Sequence, residues 1–324
     1  MSARRPAGTG PVPAYPREPL VGVDLEGRVA VVTGAGGGMG RVIAAELVRA
    51  GAHVVTVARD ARRTESLLRE TVAGTVGQGG RGGFEVVEAD LSLRAGVLGA
   101  AAAIARRHER VHVLVNNAGA HVPDRRLTAD GIEMHVAVDY LAAFGLTHLL
   151  RDALVRGAGR VVHVASDTVN DTRKVKLLGR ARPAALDPAH LDDLAALNPA
   201  SGFVPFEAYA RAKLLTVTSG YHAARTLRPH GVTVSSAHPG IVGTALVDGL
   251  VPAALRPLRG LVRRAVLTPR EGASTALRLA TDPALAGVTG RYYVRGEEAT
   301  TPAVSHDAAV QQRLHDVSSR WFAG

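Results

Sequence analysis

At 324 residues and 46% hydrophobic composition, the chain can bury a sizeable core as one large domain or two. The lack of any cysteine excludes a disulfide scaffold, a thiolate metal site and a thiol nucleophile, and the thirteen histidines show no HExxH-like grouping that would suggest a metal. A formal charge of +10 raises nucleic acid or an anionic membrane as partners. The arginines are scattered, however, aromatic residues make up only 4% and no nucleic-acid-binding motif is present, so the charge reads as a basic surface that helps attract an anionic cofactor.

Residues 1–23 carry Pro6, Pro11, Pro13, Pro16 and Pro19 among glycines without periodicity, the composition of a flexible arm. No apolar stretch follows Arg4-Arg5, and no run of about twenty uncharged apolar residues occurs anywhere, so neither export nor stable membrane insertion is expected and the location expected is cytoplasmic. At Val29 the pattern changes to a short apolar strand ending in Gly34-Ala-Gly-Gly-Gly-Met-Gly40. Val42, Ile43, Leu47 and Val48 then recur at helical spacing. Strand, glycine turn and helix together hold a pyrophosphate at a helix N-terminus, where backbone N–H groups are free. The next strand, His53 to Ala58, ends in a small residue followed by Arg59. An acidic side chain there would hold a ribose 2′-hydroxyl, whereas Ala58 with Arg59 makes room for a 2′-phosphate and neutralises it. NADP(H) is therefore preferred and NAD(H) possible, the alternative being that Arg59 merely pairs with Asp60.

A helix over Ala61 to Thr71 leads to the strand Phe84 to Ala89 and Asp90-Leu91, and a further helix leads to Val111 to Val115 and Asn116-Asn-Ala-Gly119. Apolar runs alternating with helices imply an α/β Rossmann-type doubly wound sheet of about seven mostly parallel strands, covered on both faces. Right-handed crossovers collect the loops after the strands, with Asp90 and Asn116, along one edge. A long helix is expected over Asp130 to Val155, then a strand from Arg160 to Ala165 ending at Ser166. The 43 positions from Ser166 to Tyr209 include a short helix begun by Asp187-Pro188, with Leu191, Leu194 and Leu197 as its stripe. An insertion of this length, about 170–206, reads as a lid. A second cover, about 241–268, combines leucines with Arg256, Arg259, Arg263 and Arg264, and reads either as a mobile roof or as a membrane-surface helix. One domain is expected over 24–324.

Between these covers lies a helical segment, Phe206 to Leu227, with Tyr209 and Lys213 four residues apart and hence on one face. For proton transfer near neutral pH a phenol must drop roughly 2–3 units from ~10, about 3–4 kcal/mol, which a neighbouring ammonium in a partly desolvated site can supply. Only three lysines occur, Lys174, Lys176 and Lys213.

TGAGGGMG (Thr33 to Gly40), Asp90-Leu91, NNAG (Asn116 to Gly119), Ser166, Tyr209-x-x-x-Lys213 and Pro239-Gly240 together resemble the ordered signature of the short-chain dehydrogenases/reductases, in their single-domain branch. Asp130 to Leu150, His238 to Thr244 and Thr268 to Val294 are similar to the retinol-dehydrogenase-like group, as is the terminal helix over Gln311 to Trp321. The resemblance implies Tyr209 as general acid/base, Lys213 lowering its pKa and holding the nicotinamide ribose, and Ser166 bonding the substrate oxygen. It also places Gly34, Gly38, Met39 and Gly40 around the cofactor, Asp90 and Leu91 at the adenine, and Asn116 against the adenosine ribose. Asn117, Ala118, Gly119, Pro239, Gly240 and Thr244 would line the same site, and a homodimer or homotetramer is plausible. Asp139 stands where the family pattern has an asparagine of the proton relay. An ionised carboxylate only accepts hydrogen bonds, and it would keep Lys213 charged while raising the pKa of Tyr209. The activity expected is NADP(H)-dependent interconversion of a small apolar alcohol and its ketone or aldehyde. The alternatives are an NAD(H)-dependent alcohol dehydrogenase and, because of Asp139, a non-catalytic NADP(H) sensor.

Overall fold

The computed structural model of the protein describes residues 23–73, 82–173, 180–242 and 267–324. Short runs rich in β-branched residues become β1 (Val29–Thr33), β2 (His53–Ala58), β3 (Gly83–Glu88), β4 (Val113–Asn116), β5 (Arg160–Val164), β6 (Thr233–His238) and β7 (Arg291–Val294). These strands are parallel, and β8 (Glu297–Ala299) returns antiparallel on β7. About seven strands were expected. The eighth, only three residues long and without an apolar run, is set by its turn: Arg295 and Gly296 have φ of 53° and 89°, the two left-handed residues of a tight hairpin. The order β3-β2-β1-β4-β5-β6-β7-β8 reverses direction between β1 and β4, which opens a crevice at the carboxyl edge there.

Helices α1 (Gly38–Arg49), α2 (Ala61–Ala73) and α7 (Pro269–Thr281) close one face over a core that includes Ile43, Leu47, Leu68 and Leu277. The other face is covered by α3 (Arg94–Arg107), α4 (Ala142–Leu149), α5 (Arg151–Arg156), α6 (Pro205–Leu227) and α8 (Ala308–Ala323), around Ile104, Leu146, Leu214 and Leu314. Local chemistry fixes the helix starts. Pro205, which lacks an N–H, opens α6 at a position where a backbone N–H would have had no partner, and Asp307 accepts from the N–H groups of Ala309 and Val310 to cap α8. Thr268 and Glu271 form a reciprocal capping box at α7.

The long helix expected from Asp130 to Val155 is not continuous. Residues 127–133 turn back in a bridge between Leu127 and Glu133, a π-helical turn runs over Val136–Leu141, and α4 breaks from α5 at Leu150. Asp130 instead accepts from Arg94 N at 2.6 Å, at the start of α3. The helix expected after Asp187 shrinks to one 3-10 turn, Pro188–His190, although Leu191, Leu194 and Leu197 are all buried. Among the described residues no helix is long and apolar enough to cross a membrane. The arm expected over 1–23 (apart from Val23), most of the 241–268 cover and Thr244 lie outside the described residues.

Candidate active site

The glycine turn after β1 is packed too closely for side chains. A Cβ on Gly40 would lie 2.4 Å from Gly34 O and 2.5 Å from Asn117 Nδ2, and Gly34 itself is left-handed at φ 72°. Asn117 and Ala118 tie this turn to β4, because both backbone N–H groups donate to Thr33 Oγ1 and the Asn117 amide donates to Thr33 O. The α1 N-terminus beyond has no side-chain cap and no acidic residue in its first turn, and a Cβ on Gly37 would meet nothing within 4 Å. Free N–H groups in open space fit the diphosphate of a dinucleotide. Asp90 Oδ1 accepts from Ser92 N and Oγ at the end of β3, with Leu91 buried beside it. Arg59, at the end of β2, is exposed and makes no ion pair among the described residues, while Asp60 accepts from Arg63 N. The alternative pairing of Arg59 with Asp60 is therefore absent. Pro239 and left-handed Gly240 follow β6, with Leu267 Cδ1 2.6 Å from where a Gly240 Cβ would stand.

Two residues depart from their expected places. Met39 turns inward to the core, its sulfur 2.9 Å from the position of a Cβ on Gly272. Asn116 points into the helix layer, where its amide meets Thr147 Oγ1 at 3.1 Å and His163 Nδ1 at 3.2 Å, so its side chain does not reach a ribose at the sheet edge.

Ser166 at the end of β5 and Tyr209 and Lys213 on α6 converge at the carboxyl edge, all buried. Lys213 Nζ donates to Val164 O at 3.0 Å, lies 3.0 Å from Asp139 Oδ1 and sits 5.7 Å from the Tyr209 ring centre. Asp139 Oδ1 also accepts from Ala120 N, whereas Oδ2 is buried and has no hydrogen-bond partner among the described residues. A Cβ on Gly119 would lie 2.8 Å from Oδ1, so glycine there gives the carboxylate its room. The π-helical turn carries Asp139, and its main-chain carbonyl accepts from Thr216 of α6 at 2.6 Å. Burial lifts the Asp139 carboxyl above its ordinary range, against the pull of Lys213. Burial alone would lower Lys213, but Asp139 and Tyr209 together hold its proton more tightly than usual. The depressed phenol expected at Tyr209 is not found. Burial raises it, Lys213 and a hydrogen bond from Ser166 pull it down, and Asp139 adds to the rise by offsetting the ammonium.

A buried polar cluster backs this centre that the sequence did not reveal. Tyr209 meets His121 and His135 edge-on, at 5.6 and 6.1 Å between ring centres. His135 Nδ1 lies 2.8 Å from Glu133 Oε1, and its Nε2 accepts from Val122 N. Fully buried Glu133 also accepts from Asn198 Nδ2 at 2.7 Å, and Asn198 Oδ1 accepts from Arg211. Burial opposes ionisation of Glu133, but His135 and Asn198 outweigh it and hold the carboxyl below its ordinary range. These groups are up to 90 positions apart, so spacing carries no signal of them, though His121 directly follows Asn116-Asn-Ala-Gly-Ala120.

A family profile described as short chain dehydrogenase matches residues 28–176. Mouse (Mus musculus) retinol dehydrogenase 14 is 36% identical over 304 residues, covering 91% of this chain and 85% of that protein. Mouse polyprenol dehydrogenase is 34% identical over 321 residues, covering 96% and 86%. Among solved structures, a provisionally assigned NAD(P)-dependent gluconate 5-dehydrogenase from Beutenbergia cavernae with bound NADP superposes with a TM-score of 0.61 at 28% identity, over 84% of this chain and 96% of that one. The glycine cradle, the sheet order and these likenesses agree: the chain belongs to the short-chain dehydrogenases, in their retinol-dehydrogenase-like group, as an oxidoreductase of alcohols and carbonyls that uses a nicotinamide dinucleotide.

Proposed function

We propose that this chain is an NADP(H)-dependent oxidoreductase that interconverts an apolar alcohol with its aldehyde or ketone, with Tyr209 as the general acid and base. The observation that carries this reading is the convergence of Ser166, Tyr209 and Lys213 at the carboxyl edge, with the Lys213 ammonium fixed between Val164 O and Asp139. The bound dinucleotide supplies or accepts the hydride. In the reductive direction the Tyr209 O–H gives its proton to the substrate oxygen, Ser166 donates a hydrogen bond to that oxygen, and Lys213 stabilises the phenolate left behind. A buried phenol with a raised pKa is protonated at neutral pH, which favours carbonyl reduction. The small side chain of Ala58 and the unpaired Arg59 support a preference for a 2′-phosphate. Phe203 and Phe206, lying on His135 and His121 beside Tyr209, support an apolar substrate, the class to which retinol and polyprenol also belong.

The test pairs binding with turnover. Fluorescence titration should give tighter binding of NADPH than of NADH, and Arg59→Ala should weaken NADPH about tenfold or more while sparing NADH. Tyr209→Phe should keep NADPH affinity and lose roughly 10²–10⁴-fold in turnover with apolar carbonyls. Tighter NADH binding would reverse the cofactor assignment, and an active Tyr209→Phe protein would end the assignment of Tyr209. The buried Asp139 Oδ2, without a hydrogen-bond partner among the described residues, favours one rival, a sensor that binds NADPH without turnover. It predicts a wild-type protein as inactive as the Tyr209→Phe variant.

A further inference from the structure

Three ligand-type side chains meet near the amino edge of the sheet, away from the crevice. His53 begins β2, Glu85 lies in edge strand β3, and His108 follows directly on α3. Glu85 pairs with Val55, two residues on from His53, so the His53 and Glu85 side chains leave the sheet on the same face. That face is the one α3 covers, and the end of the helix brings His108 over both. His108 Nε2 is 2.6 Å from Glu85 Oε1, and His53 Nε2 is 3.7 Å from the same oxygen. The two imidazole centres are 5.2 Å apart with planes tilted by 41°, and one ligand atom from each of the three residues lies within 4.8 Å of the others.

We propose that His53, Glu85 and His108 form a binding site for one divalent transition-metal ion, zinc in the first instance. Two imidazoles and one carboxylate suit zinc, nickel or copper, whereas calcium and magnesium call for oxygen ligands. Imidazoles bound at ~2.0 Å to one tetrahedral ion hold their ring centres about 5 Å apart, which is the separation found. The short His108–Glu85 contact is bridged by a proton. Exchanging that proton for a cation opens the contact to about 3 Å, a small rotation for side chains at the surface. The His53 side chain is 44% exposed, which gives the ion an entry path and leaves a fourth position to water. Arg107 holds the other carboxylate oxygen, Oε2, at 2.9 Å and so orients Oε1 toward the imidazoles. The bound ion ties the edge strand to β2 and to α3, across 55 positions of sequence from His53 to His108. Its site is at the edge opposite the candidate active site, so it acts on stability and leaves hydride transfer alone.

The experiment titrates the full chain, first stripped with EDTA, with zinc chloride alone in a calorimeter and follows the melting temperature with added zinc. One ion should bind per chain, and the melting temperature should rise with zinc concentration. Cobalt(II) in place of zinc should give the visible absorption of a tetrahedral site. His53→Ala removes an exposed ligand without opening the core, so it should weaken zinc about tenfold or more and abolish the rise in melting temperature. Its melting in EDTA and its turnover should match the parent chain. Absence of saturable binding at millimolar zinc would overturn the proposal, as would wild-type affinity in both His53→Ala and Glu85→Gln, which would assign the ion to other histidines.

Discussion

At the residue scale, Asp139 decides how the proton chemistry responds to pH. Its carboxylate lies 3.0 Å from Lys213 and adds to the rise of the Tyr209 pKa that burial begins. Asp139→Asn keeps the shape and removes that opposing charge, so the pull of Lys213 on the phenol is no longer offset and the Tyr209 pKa falls. The pH at which carbonyl reduction declines, and at which alcohol oxidation rises, should both move lower by about one unit. Rate profiles from pH 6 to 10 in both directions check this, and unchanged profiles would remove Asp139 from the mechanism. Ser166, Tyr209 and Lys213 were legible in the sequence because each sits in a short local pattern at the end of a strand or on a helix. The place of Asn116 was also within reach of the sequence. Side chains alternate along a strand, and Asn116 shares the face of Leu114, which packs under α4 and α6, so it turns away from the face of Val113 and Val115.

At the element scale, strands and helices followed the periodicity closely, because a parallel sheet buried on both faces leaves little freedom to an apolar run of five residues. The failure was the long helix drawn from Asp130. Its first turns are given up so that Glu133 can sit fully buried, accept from His135 and Val136 N–H groups, and hold Asn198 of the segment ahead of α6. Nothing local in the sequence announces a partner 65 positions away. This contact clasps the 180–204 segment to the face that carries Tyr209, since Asn198 also bonds Ala208 O and Arg211. Asn198→Ala breaks the clasp while leaving Glu133 its bonds to His135. It should destabilise the chain by about 1–3 kcal/mol and raise KM for the carbonyl several-fold, with kcat changed little. Urea unfolding and steady-state kinetics check it; a loss confined to kcat would mean that the clasp positions Tyr209 rather than the substrate. A second contact of this kind fixes α8. Gly145 of α4 lets the terminal helix pack closely, because a Cβ there would come 2.5 Å from Phe322 Cζ and 2.7 Å from Val97 Cγ1. Gly145→Val should therefore cost about 1–3 kcal/mol by overpacking, measured by the same unfolding curves.

At the scale of the whole molecule, the helix layer opposite α1 and α7 forms a half-open cavity of about 230 Å³ that gathers four imidazoles from four elements. His148 of α4, His163 of β5, His222 of α6 and His315 of α8 line it with Phe144 and Arg151, and the His222 and His315 rings stack 4.3 Å apart. Burial keeps all four neutral. His163 is held down further by Lys213, to about 4, and His222 by His315 and Arg225, also to about 4, from an ordinary value of 6.5. His148 and His315 are lowered by burial as well, Asp316 partly offsetting it at His315. The unfolded chain would bind these protons from about pH 6.5 downward, whereas the folded chain resists them until about pH 4. Stability is thus complete above the unfolded value and is lost as the pH falls through this window. A single imidazole held so low accounts for on the order of 3 kcal/mol across the full range. Melting temperatures should drop by several degrees between pH 7.5 and 5, above the range where carboxylates such as Glu133 begin to take protons. His222→Gln, which cannot titrate, should flatten that drop whatever it does to the melting temperature at pH 7.5. An equally steep decline in His222→Gln would remove His222 from the acid response and leave it to the other buried groups. No sequence pattern collects residues 148, 163, 222 and 315, because what joins them is the order of β4, β5 and β6 in the sheet and the return of α8 across α4 and α6.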